Sequence, residues 1–167
     1  MPDRPVLHFL VPACQAPEAY GPRMADTMRA AGWTVTAQAL PGDYPRVDES
    51  AILAADIAVS RLPDGALVLV DGLALPGAAG ALAMDSRRLR LVAAVDRVLW
   101  REPGLAADGA AALRNLEQGA LALMRGIAVP SAEVAVEAGA LGLPVERIVT
   151  APADAGGAVR LAALFGS

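Results

Sequence analysis

Two aspartates stand where a fold could put them to chemical use. Asp71 follows the apolar run Ala66-Leu67-Val68-Leu69-Val70, and Asp96 follows Leu91 to Val95. A carboxylate at the end of a buried strand reaches the sheet edge, where it can contact a bound ligand or cap the next segment. Asp43 and Arg46 form a second polar pair inside Pro41-Gly42-Asp43-Tyr44-Pro45-Arg46. There a carboxylate and a guanidinium can line an acceptor groove or simply serve the turn. Tyr20 and Trp100 read as contact aromatics or as ordinary packing. His8, the only histidine, lies within Val6-Leu7-His8-Phe9-Leu10-Val11 and is expected to be a hydrogen-bonded core residue. Glu117 sits beside an apolar helical stripe and needs a partner, since a lone buried carboxylate is costly; a neighbouring arginine is expected.

Several chemistries fall away on composition. All 14 basic residues are arginine, which removes Schiff-base lysines and the phosphate-binding lysine of P-loop proteins. Cys14 is the only cysteine and lacks an activating neighbour, so no intrachain disulfide or cysteine-rich zinc site is expected. One histidine admits no multi-histidine metal site, and no metal or cofactor is expected. A net charge of −4 argues against nucleic acid or an anionic membrane as partner. The apolar runs are too short to span a bilayer, and Pro2, Asp3, Arg4 and Pro5 lead into a strand without a signal-peptide pattern, so a cytoplasmic protein is expected.

Positioning these residues falls to alternating strand-like and helical segments over a single expected domain, 1–167. Val6–Val11, Trp33–Leu40, Ala66–Val70, Leu91–Val95, Ile127–Val129 and Arg147–Ala151 read as strands. Between them, Gly21-Pro22 opens a helix with Met24, Met28 and Ala31 on one face and Gly32 as its stop. Asp48 caps a helix with Ile52, Ala55, Val59 and Leu62 on its apolar side. Further helices are expected over about Pro76–Ala83, Asp108–Met124 and, capped by Ser131, up to Leu141. The segment 155–167 reads as a tail with an apolar turn or two. This alternation implies an α/β fold with a mainly parallel sheet and helices on both faces, the doubly wound class. In that class ligands bind outside the carboxyl ends of the strands, where Asp71 and Asp96 stand.

The turn after the first strand, Pro12-Ala13-Cys14-Gln15-Ala16-Pro17, has no glycine, so a dinucleotide pyrophosphate cannot approach its backbone in the usual way. Four segments in series suggest another class: Leu7-His8-Phe9-Leu10-Val11-Pro12, Pro41-Gly42-Asp43-Tyr44-Pro45-Arg46, Val70-Asp71-Gly72-Leu73-Ala74-Leu75 and Gly142-Leu143-Pro144-Val145-Glu146-Arg147-Ile148. In order and spacing they resemble the N-terminal, acceptor-side domain of family-4 GT-B glycosyltransferases, from Val6 to about Asp154. The resemblance implies a Rossmann-like half domain of a transferase about twice this length.

Two departures accompany the resemblance. Those enzymes carry a glycine-rich loop after the first strand, whereas Ala16-Pro17-Glu18-Ala19-Tyr20-Gly21-Pro22-Arg23 lacks the paired glycine and adds a carboxylate. A histidine-containing segment after the fourth strand is replaced by Asp96-Arg97-Val98-Leu99. The expectation is therefore a split or degenerate glycosyltransferase without its donor-nucleotide domain and inactive alone. It would bind a sugar-containing acceptor through Tyr20, Asp43, Arg46, Asp71 and Asp96. The alternatives are a non-catalytic interaction or regulatory module acting through a protein partner, and a stand-alone small-ligand binder. The interaction reading expects a homodimer or a contact with a separate donor-domain protein, through apolar surface at Trp100, Leu161, Leu164 and Phe165.

Overall fold

The computed structural model describes residues 5–166; Met1–Arg4, with part of the expected lead-in, and Ser167 at the end of the tail lie outside the described residues. Six strands form one all-parallel sheet in the order β2-β1-β3-β4-β5-β6. They are β1 Leu7–Pro12, β2 Val35–Leu40, β3 Leu67–Asp71, β4 Arg90–Ala94, β5 Gly126–Val129 and β6 Ile148–Thr150. The helices between and after them are α1 Tyr20–Ala30, α2 Glu49–Ser60, α3 Leu75–Asp85, α4 Ala107–Ala122, α5 Ala132–Gly139 and α6 Ala155–Gly166. This is the Rossmann-like doubly wound fold expected from the alternation of segments.

The two faces of the sheet carry separate cores, because successive residues of a strand point to opposite sides. Leu7 and Phe9 of β1, Leu67 and Leu69 of β3, and Val92 and Ala94 of β4 meet α1 and α6. Leu10, Val68, Val70, Leu91 and Ala93 face the layer of α2, α3 and α4. β3 is buried at every position, as a central parallel strand covered on both sides must be. β2, at the edge, is exposed or half-buried at every position but Leu40, and it carries the polar residues Thr36 and Gln38.

Local signals set several boundaries. The Asp48 carboxylate accepts from Ala51 N at 2.8 Å and starts α2, and Ser131 Oγ accepts from Val134 N to start α5. Gly32, at φ 91°, takes the left-handed conformation that stops α1. Three expectations need correction. Ala31 lies past the end of α1 and is exposed, so Met24, Ala25 and Met28 make the buried face. In α2 the inward stripe runs through Ala51, Ala55 and Val59, which rotates Ile52 outward to 43% exposure. The tail is no loose turn: Ala155–Gly166 is a full helix, and Leu161 and Phe165 sit in the core against α1.

Candidate functional site

In a 2-1-3-4-5 strand order the chain reverses direction between β1 and β3, and loops leaving those strands in opposite senses open a crevice at their carboxyl ends. Gln15 follows β1 there, Asp71 ends β3, and Asp96 and Arg97 follow β4. Gln15, Asp96, Arg97 and the backbone around Ala16, Ala19 and Gly72 enclose a cavity of about 150 Å³. Gly72 lets the chain after β3 pass close to the end of β4, since a Cβ there would stand 3.1 Å from the Ala94 carbonyl oxygen.

Asp71 ends β3 behind Gln15 and is 2% exposed. Gln15 Nε2 donates to Asp71 Oδ2 at 2.8 Å. Burial raises the Asp71 pKa to about 6; the Gln15 hydrogen bond and the Leu73 N–H oppose the shift, and nearby Asp96 adds to it. The group therefore changes charge just below neutral pH. On the opposite wall Asp96 and Arg97 are exposed, and Arg97 Nε pairs with Glu102 Oε1 at 2.9 Å. Gln15 Oε1 accepts from Ala16 N at 3.0 Å, so the crevice offers the Asp96 carboxylate as acceptor and, as donors, the second Gln15 N–H and the Arg97 guanidinium.

The loop carrying Arg97 is held from behind. Glu117 of α4 is buried and accepts from Leu99 N at 2.9 Å and from Trp100 N at 2.7 Å. This corrects the expected arginine partner: two backbone N–H groups satisfy the carboxylate. Burial still raises its pKa, and the two N–H bonds partly offset the rise.

The remaining candidate residues divide between this crevice and other places. Tyr20 is buried at the start of α1 and donates its hydroxyl to the Ala151 carbonyl at 2.6 Å, tying α1 to the loop after β6. Burial raises its pKa, with a further contribution from Asp96. Asp43 and Arg46 are exposed and line a separate groove of about 410 Å³ between the β2–α2 loop and α4. Trp100 is half-buried against the helical core, with the guanidinium carbons of Arg101 and Arg114 at 4.8 and 5.1 Å from its ring centre. Leu161 and Phe165 are buried, and Leu164 packs against the space a Cβ on Gly126 would fill. His8 corrects another expectation: its Nδ1 is buried with no hydrogen-bond partner among the described residues, and burial lowers its pKa. It lines an apolar cavity of about 570 Å³ at the amino ends of the strands, away from the switch point.

Two residues, Gln15 of the crevice and Tyr44 of the separate groove, were not singled out by sequence. Gln15 follows β1 in a segment judged only by its missing glycines, and Tyr44 was read as part of a turn. The turn position did carry a signal, because Gln15 and Asp71 leave the neighbouring strands on either side of the switch point. Among the described residues no group of three or more His, Cys, Asp or Glu side chains gathers as a metal site would require. Nor is any described helix long and apolar enough to cross a membrane.

No protein-family model matches this chain, and no curated protein matches it in sequence.

Proposed function

We propose that this chain is the acceptor-side unit of a GT-B-type glycosyltransferase, binding the hydroxyls of a sugar-containing acceptor at the β1/β3 switch point. The observation that carries the reading is the polar cavity bounded by Gln15, Asp96 and Arg97, in which the buried Asp71 carboxylate holds Gln15 from behind. Sugar hydroxyls both donate and accept, and Asp96 as acceptor with Arg97 and the second Gln15 N–H as donors answers both needs. At about 150 Å³ the cavity is smaller than the ~300–1,000 Å³ of a complete small-molecule site. It encloses part of a ligand and leaves the rest to be covered by a second unit, which in this reading holds the donor nucleotide. The turn after β1 offers no glycine-rich backbone for donor phosphates, in keeping with a role confined to the acceptor.

Titration of the isotope-labelled chain with methyl β-D-glucopyranoside and related methyl glycosides tests this. Amide shifts at Gln15, Gly72 and Arg97, abolished by Gln15→Ala, are expected for at least one glycoside. UDP- and GDP-sugars are expected to bind weakly and to undergo no transfer. Silence at those amides across the glycoside series, or micromolar binding of a sugar nucleotide with turnover by the chain alone, overturns the proposal.

A second reading rests on α2, where Ile52, Leu53 and Ile57 are 43%, 60% and 43% exposed. Neighbouring apolar side chains on one exposed helix favour an interaction module acting through that face.

A further inference from the structure

The two edges of the sheet are finished differently. β6 is three residues long, and Arg160 Nη1 donates to its Thr150 carbonyl at 2.9 Å. β2 keeps a continuous register with β1 from Leu7↔Val35 to Pro12↔Leu40, and none of its residues is charged or proline. Edge strands are ordinarily kept from pairing by shortness, charge, proline, a bulge or a cover. β2 has none of these at its centre, where Thr36, Ala37 and Ala39 are exposed. The ladder also fixes the direction of its backbone groups. Leu7 N donates to Thr34 O and Ala13 N to Leu40 O, so the even-numbered residues turn their N–H and C=O toward β1. Val35, Ala37 and Ala39 therefore turn theirs to the open side. Arg29 Nη2 reaches the Val35 carbonyl at 3.3 Å, while among the described residues nothing answers the outward groups of Ala37 and Ala39.

We infer that a second copy of this chain lays its β2 antiparallel against this edge, about a two-fold axis at Ala37, and joins the two sheets into one. Centred there, Ala37 faces its own counterpart and Val35 faces Ala39 of the other copy, so all three outward N–H groups meet a carbonyl. Charge favours a copy of the same chain. On the α1 side of β2 a groove of about 330 Å³ is lined by Phe9, Val11, Ala25, Ala37 and Ala39, with Asp26 and Arg29 one helical turn apart along it. The two-fold axis reverses the direction of α1 in the second copy, so Arg29 of one copy comes toward Asp26 of the other and like charges are not opposed. The apolar lining adds side-chain burial to the backbone pairing, which a stable contact of at least about 1,000 Å² requires. The pairing does not depend on the glycosyltransferase reading.

Light scattering during size exclusion, combined with hydrogen exchange read at single amides, tests the pairing. The parent chain is expected to elute as a dimer. Ala37→Pro removes an outward N–H and spares the β1 ladder, to which only the even-numbered residues contribute, and it is expected to elute as a monomer. Ala39→Lys sets a charge on the exposed edge and is expected to do the same. The Ala39 amide is expected to exchange at least about tenfold more slowly in the parent dimer than in the Ala37→Pro monomer. Thermal melting confirms that both variants fold; if Ala37→Pro does not, Ala39→Lys takes its place and exchange in the parent chain still decides. A parent chain that elutes as a monomer overturns the pairing. So does a dimer in which the Ala37 and Ala39 amides exchange as fast as in an unpaired strand, or one that survives in either folded variant.

Discussion

The Asp71 carboxylate occupies the space that a side chain on Gly21 would need. A Cβ at Gly21 would stand 3.1 Å from Asp71 Cγ and overlap Oδ1. The glycine thus lets the start of α1 close over the end of β3, and this closeness buries the carboxylate. Gly21→Ala is expected to destabilise the fold by about 1–3 kcal/mol, the range for overpacking. That outweighs the ~1 kcal/mol by which alanine is favoured within a helix. Urea unfolding checks it. In an Asp71→Ala background the same change is expected to be nearly neutral, and equal losses in both backgrounds would show that the two residues do not compete for space.

Asp71 also sets a pH dependence. Its folded pKa of about 6 lies above the ordinary 3.8, so between those values the folded state holds a proton that the unfolded state has lost. Stability then falls as pH rises through this window, and the deficit, about 3 kcal/mol for a shift of about two units, is fully present above pH 6. Asp71→Asn keeps an oxygen to accept from Gln15 and removes the charge. The variant is expected to be more stable than the parent at pH 7 and to lose the difference near pH 4. A difference that does not change between those pH values would show that the buried charge is not its source.

Glu117 converts a helix face into a clamp on the β4–α4 loop. Hydrogen bonds to a charged group contribute about 1.5–3 kcal/mol each, and Glu117 accepts two from backbone N–H groups. Glu117→Ala leaves both donors without this partner and is expected to cost about 3–5 kcal/mol in chemical unfolding. Glu117→Gln can restore only one acceptor and is expected to fall between. Because the same loop carries Arg97, hydrogen exchange at Leu99 and Trp100 should accelerate in both variants, most in the alanine.

The fold was legible because central parallel strands advertise themselves. Ala66-Leu67-Val68-Leu69-Val70 has no polar position, and Asp71 and Asp96 fall at sheet edges by the same periodicity. What the sequence hid is long-range pairing. Gln15 and Asp71 are separated by 56 positions and Tyr20 and Ala151 by 131, and no local pattern joins them. The tail was misjudged for a related reason. Gly156 and Gly157 weaken the helical signal, yet Gly157 is needed there because a Cβ would collide with the Pro152 carbonyl. The helix owes its place to Ala158, Leu161 and Phe165 packing on the sheet, as short helices depend on tertiary contacts.

The same packing decides which apolar side chains are exposed. Leu161 and Phe165 are inside the core, whereas Ile52, Leu53 and Ile57 on α2 are exposed. They lie on the helix covering the β2 side of the sheet, away from Asp71 and the polar cavity. If this face carries a contact between copies of the chain, light scattering during size exclusion will report a dimer at about 50 µM, and Leu53→Glu with Ile57→Glu will convert it to a monomer. Since both positions are already exposed, the double variant should change stability by no more than about 1 kcal/mol. A stable contact of this kind should bury at least about 1,000 Å² in total, more than α2 alone can supply, so its neighbours must contribute. A parent chain that elutes as a monomer at that concentration excludes self-association through α2. A dimer that survives the double charge substitution places the contact elsewhere on the surface.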